Sequence, residues 1–129
     1  MNREILLRAR IKGKWVYGDL LEYPAGEFQI WTKIRENGGH NYVVDEPETI
    51  GQFTGLFDLN GKRIFDGDVI AVDAMIDGAI VKNHKKMLVR WDYGFLYMLE
   101  NTFKSNGEKI QVEILGNIHD TPELLEAKQ

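Results

Sequence analysis

The chain has no cysteine, a single serine and only three prolines among its 129 residues, and each shortage closes off a class of protein. Without cysteine there is no disulfide framework, no thiolate metal set and no thiol nucleophile. The same lack fits a reducing compartment, and we read the protein as cytoplasmic. The one serine, Ser105, lies in the turn sequence Lys104-Ser105-Asn106-Gly107 with no nucleophile elbow around it, so serine catalysis is not expected. No stretch approaches the roughly 20 apolar residues of a membrane-spanning helix. At the start, Arg3, Glu4, Arg8 and Arg10 surround the short apolar run Ile5-Leu6-Leu7, which is too brief for a signal-peptide core. A surplus of one charge is also missing. With 16 Lys and Arg against 20 Asp and Glu, the net charge is −4, which favours solubility and argues against a non-specific nucleic-acid binder.

What is present points to strands. Hydrophobic residues make up 43% and aromatics 11%, enough for a folded core with large side chains to fill it. Turn dipeptides recur at short spacing: Asn37-Gly38, Asn60-Gly61, Asn106-Gly107, Asp66-Gly67 and Asp77-Gly78. Asn, Asp and Gly tolerate positive φ, as the tight turns between antiparallel strands require. Between them the side chains alternate. Ile5, Leu7, Ala9 and Ile11 alternate with Leu6, Arg8, Arg10 and Lys12, and Gly13 marks a turn. Lys14 to Tyr23 forms a second strand, Tyr23-Pro24-Ala25-Gly26 a turn, and Phe28 to Ile34 a third strand. A polar loop from Glu36 to His40 leads to a short strand at Tyr42 to Val44, and Asp45 to Gly55 reads as a connector. Further strands are expected near Asp68 to Val72, Lys86 to Trp91, Phe95 to Glu100 and Lys109 to Leu115. Thr121-Pro122-Glu123 has the pattern of a helix start, which predicts a short C-terminal helix over Pro122 to Ala127.

The segment Glu48-Thr49-Ile50-Gly51-Gln52-Phe53-Thr54-Gly55-Leu56, followed by Asp58 through Val69 with Asn60-Gly61-Lys62, Ile64-Phe65 and Asp66-Gly67-Asp68, resembles the central motif of the YopX family of phage and prophage proteins. Glu113 to Asp120 and Pro122-Glu123-Leu124-Leu125 resemble the family's closing motif, and Arg3 to Ala9 fits its beginning. Ala74 to Lys86 departs most from the pattern. The resemblance implies a small SH3-like barrel in the C-terminal part and no assigned molecular function. The combined expectation is an all-β protein, with an antiparallel β unit over residues 1–46 and an SH3-like small β-barrel with a short terminal helix over residues 47–129.

Tests for chemistry return little. His40, His84 and His119 share no metal-ligand spacing, and Asp58-Leu59-Asn60-Gly61 does not follow a calcium loop. Asp66 and Asp68, or Asp73 and Asp77, are read as turn residues that bond nearby backbone amides. No phosphate-cradling loop is present, so no cofactor and no small-molecule substrate are expected. Two surfaces remain. Lys82, His84, Lys85, Lys86 and Arg90, beside Trp91 and Tyr93, form a stretch without acids that could hold phosphates and stack bases. Leu6, Trp31 and Phe57 fall where alternation points them away from the core, as in a surface for another protein or a second copy. The favoured function is therefore a non-enzymatic interaction or self-associating module. Nucleic-acid binding through Lys82, Lys85, Lys86 and Arg90 is the alternative, and an enzyme of unknown reaction comes third.

Overall fold

Positive φ decides where the first hairpin turns. Lys12 (φ 51°) and Gly13 (φ 78°) stand between Ile11 and Lys14, which face each other across the ladder. This two-residue turn matches the right-handed twist of the strands it joins. The computed structural model describes residues 5–91 and 112–125 and divides the chain into two units, Met1–Phe53 and Thr54–Gln129. Among the described residues all the regular structure is β-strand or 3₁₀ turn, and the strands pair antiparallel.

The first unit is a meander of β1 (Leu7–Ile11), β2 (Lys14–Tyr23), β3 (Glu27–Arg35) and β4 (Gly38–Val43), each paired with the next. The beginning of β5 (Gly51–Phe57) joins β1, with Leu7 opposite Gln52 and Arg8 opposite Gly51. The short strand expected at Tyr42 to Val44 is β4, which starts earlier and extends the three-stranded unit to four. β4 begins inside the stretch read as a polar loop, because Gly38 and Gly39 have little strand preference of their own. Packing supplies the reason for Gly39: a Cβ there would lie 2.6 Å from Cζ2 of Trp31, whose indole lies across it.

One face of the meander closes on a core of Ala9, Ile11, Ile30 and Val44, flanked by Leu7, Val16, Leu20, Phe28, Tyr42 and Ile50. The segment after β4 is tied back to β1. Asp45 accepts the Lys12 amide, Thr49 Oγ1 accepts the Arg10 amide at 2.8 Å, and Arg10 Nη2 meets Glu46 Oε1 at 2.9 Å.

In the second unit Thr54 Oγ1 donates to the carbonyl of Ile64 at 2.8 Å, bringing the end of β5 beside β6 (Arg63–Phe65). β7 (Asp68–Ile76) lies between β8 (Ala79–Leu88) and β9 (Val112–Asn117). Ile64, Ile70, Val89 and Val112 form its core, with Leu56, Val72, Met87 and Ile114 against it. Asp77 (φ 51°) and Gly78 (φ 79°) make a second two-residue turn, as their sequence predicts.

Two irregularities matter. Val72 faces Lys85 and Ala74 faces Val81, so the single residue Asp73 stands opposite the three residues Lys82, Asn83 and His84. Val69 faces Gly116 while Ile70 faces Ile114, which leaves Leu115 as an extra residue in β9. The first bulge explains why β8 was legible only from Lys86 onward: its earlier part does not alternate.

The expected C-terminal helix is replaced, over the described residues, by a 3₁₀ turn at Pro122–Leu125. Thr121 stands at the start of the turn, where its carbonyl accepts the Leu124 amide at 3.1 Å. Its hydroxyl donates back to the carbonyl of Asn117 at 3.1 Å. A single turn gains too few hydrogen bonds to offset helix nucleation, and packing holds this one, since a Cβ on Gly116 would lie 2.7 Å from Thr121 Oγ1 and 2.8 Å from Leu124 Cδ1. The described strands form no closed barrel. The predicted strand at 95–100, Ser105 and Tyr93 lie outside the described residues.

Candidate interaction surface

In a strand, alternate side chains point to opposite faces. With Ala9, Val16, Leu20, Ile30 and Tyr42 on the core side of the first unit, the ladder register assigns the other side to Arg8, Trp15, Tyr17, Leu21, Tyr23, Trp31 and Val43. An antiparallel sheet with one wet face normally carries polar residues there. Here that face carries two tryptophans, two tyrosines, a leucine and a valine alongside Arg8, Arg10, Asp19, Glu27, Gln29, Lys33 and Asn41. Tyr17 keeps 42% of its surface exposed and Val43 54%. Leu21 and Val43 both flank Gln29, so they stand on either side of one residue of β3.

Arg8 gives this face its chemistry. It pairs across the ladder with Tyr17, and its guanidinium carbon lies 4.5 Å from the ring centroid of Trp15. At 6% exposure the side chain is covered by its neighbours. A guanidinium held against an indole is attracted by the ring's negative face, by about 0.5–2 kcal/mol. Alternation placed Arg8 correctly on the outer face but missed its burial. The available signal was the two aromatics of β2 that the hairpin sets beside it.

Of the residues the sequence singled out for an interaction surface, Trp31 belongs to this face and is half-buried over Gly39. Leu6 is half-buried, and its carbonyl accepts the Phe53 amide at 2.8 Å. Phe57, in the second unit, is 49% exposed, with the Arg63 guanidinium 5.8 Å from its ring centroid.

The basic residues are arranged less favourably for one phosphate track. Lys85 and Lys86 are both exposed, but as consecutive residues of β8 they face opposite sides of the sheet. Arg90 lies 3.9 Å from Asp66. Lys82 falls in the bulged part of β8, and its side chain, like that of His84, lies outside the described part.

The carboxylates of the central motif act as staples. Asp58, almost fully buried, accepts the amides of Asn60 and Lys62 on Oδ1, both at 2.9 Å, and that of Ile114 on Oδ2 at 3.1 Å. Asp68 accepts the Phe65 amide at 2.7 Å, and Asp66 accepts that of Trp91. In the closing motif, Asn117 Oδ1 accepts the amides of His119 and Asp120 at 3.0 and 2.8 Å. Among the described residues no three His, Asp or Glu side chains stand close enough together to hold a metal ion, and no helix is long and apolar enough to cross a membrane. Exposed His40 makes an edge-on contact with Tyr42 at 4.5 Å.

Fold and surface together define an all-β protein of two small units, whose most distinctive feature is an aromatic outer sheet face. The chain belongs to the YopX family: the family model described as YopX protein matches residues 8–126. Neither a curated protein nor a solved structure matches it.

Proposed function

We propose that this protein is a cytoplasmic phage or prophage accessory protein that works by binding protein, itself included, and not by catalysis. The observation that carries the reading is the outer face of β1–β4, which carries Trp15, Tyr17, Leu21, Tyr23, Trp31 and Val43, with Arg8 beside Trp15 and Tyr17. Aromatics and arginine are the residues enriched at the centres of protein interfaces. The motif carboxylates that an acid–base enzyme would need are occupied with backbone amides, which supports a structural role for them. For the second unit, the antiparallel strands β7–β9 with the neighbouring β6 support reading it as an SH3-like small barrel.

The test is affinity purification of the tagged protein from lysogenic host lysate, with and without nuclease, beside the variants Leu21→Glu and Tyr17→Ser. We expect a stoichiometric protein complex that survives nuclease and weakens at least about tenfold in Leu21→Glu, in line with loss of a central apolar contact. A complex that dissolves with nuclease would move the reading to nucleic acid, with Lys82, Lys85, Lys86 and Arg90 as the residues to neutralise. A saturable turnover that disappears in Asp66→Asn, with the fold intact, would make the protein an enzyme.

A further inference from the structure

We infer that β4 is a self-pairing edge, through which two copies of this chain join antiparallel about a two-fold axis at Asn41. The inference deepens the interaction reading above by naming the partner as a second copy.

Among the described residues β4 ends the strand order of its sheet, with β3 its only neighbour. Every residue of Gly38–Val43 except Tyr42 is exposed. Edges that must stay single usually carry lysine, proline, inward charge or a bulge. β4 reads Gly-Gly-His-Asn-Tyr-Val and has none of these, and the irregularity in this ladder falls on β3, at Ile34.

The register fixes which backbone groups are offered. The Val44 amide donates to the Phe28 carbonyl at 2.9 Å, so the 28/44 pair bonds inward. Hydrogen-bonded and non-hydrogen-bonded pairs alternate along an antiparallel ladder. The inward residues are therefore Val44, Tyr42 and His40, opposite Phe28, Ile30 and Thr32. Gly39, Asn41 and Val43 direct their amides and carbonyls away from β3.

A second β4 can use all three outward residues in only one antiparallel register. Asn41 then meets Asn41, and Gly39 meets Val43 on both sides. The side chains agree with it. Val43 would stand opposite Gly39 and pack on the Trp31 indole that lies across that glycine. On the other face His40 would stand opposite Tyr42, the kind of ring pair the strand already makes within itself at 4.5 Å. No carboxylate, lysine or arginine lies within Gly38–Val43 to be set against its like.

The register yields a sharp test, because residue 41 meets its own copy. Sedimentation or light scattering would be measured for the wild-type chain, for Asn41→Asp, for Asn41→Lys, and for an equimolar mixture of the two variants. Circular dichroism and thermal melting would establish that each remains folded. The Asn41 side chain is exposed on the edge, so neither substitution disturbs the monomer core. We expect a wild-type dimer, a dissociation constant raised at least about tenfold in each variant by like charges directly opposed, and recovery of the dimer in the mixture as Asp faces Lys. A wild-type dimer that both variants keep would overturn β4 as the interface while leaving self-association intact. A wild-type chain that stays monomeric at its highest soluble concentration would overturn the inference, and binding of a different protein through the outer face would remain to be tested by Leu21→Glu.

Discussion

The two units hold their strands by different means. In Met1–Phe53 the work is done by short hairpins and a continuous meander, with exposed or half-exposed side-chain ties such as Asp45 to the Lys12 amide and Arg10 to Glu46. In Thr54–Gln129 the turns are clamped from inside: Asp58 and Asp68 are buried, and their carboxylates gather backbone amides from their own turn and, for Asp58, from β9. The difference bears on function. The most recognisable residues of the family motif lie in the clamped unit and are absorbed in structure. The less recognisable unit carries the aromatic face and the open edge.

Substitutions can break this comparison. The largest effects belong to the two cores, since Ile30 and Ile70 are both completely buried. Changing either to Ala should cost about 2–5 kcal/mol by lost burial and the cavity left behind. Hydrogen exchange should show Ile30→Ala loosening β1–β4 more than β7–β9, and Ile70→Ala doing the reverse. Equal loosening of both sets by either variant would mean that the units are not separate cores.

The next contrast is between carboxylates. Asp58→Ala leaves three backbone amides without their acceptor in a buried place, and should cost about 3 kcal/mol or more. Asp45→Ala removes longer, exposed bonds of 3.2 and 3.3 Å to one amide, and should cost about 0.5–1 kcal/mol. Urea midpoints of the two variants measure the gap, and similar values would erase the distinction between clamped and tied turns. The smallest effect is a gain. Lys12 holds φ 51° in a two-residue hairpin turn, where Asn is preferred. Lys12→Asn should raise stability by about 0.5–1 kcal/mol, readable as a higher melting temperature.

Much of the strand pattern was legible because its signals are local. β2 runs from Lys14 to Tyr23 as read, and the Asp77-Gly78 turn falls where its dipeptide put it. Asn37-Gly38 shows the limit. The turn there is made by Glu36 and Asn37, with Arg35 facing Gly38, and neither turn residue has positive φ. The start of β4 at Gly38, the early part of β8 and the 3₁₀ form of the turn after Thr121 were not legible, because each depends on a partner far along the chain or on a bulge. Of the candidate surface, Trp31 was foreseen, but its companions on β2 were not.

From the residues alone one reads a strand-rich chain with turns at Asn60-Gly61, Asp66-Gly67 and Asp77-Gly78, and the motifs of the YopX family. Alternation and turn chemistry act over a few residues, so one chain suffices to read them. Which side of the meander is the core follows from strand packing. In β2 Val16 and Leu20 occupy one face while Trp15, Tyr17 and Leu21 occupy the other, and both are apolar enough to be buried. The choice was made by β1, β3 and β4, which set Ala9, Ile30 and Tyr42 against Val16 and Leu20 and left Trp15, Tyr17, Tyr23 and Trp31 outside. Hydrophobic burial needs a partner surface, and that surface comes from strands distant in the chain.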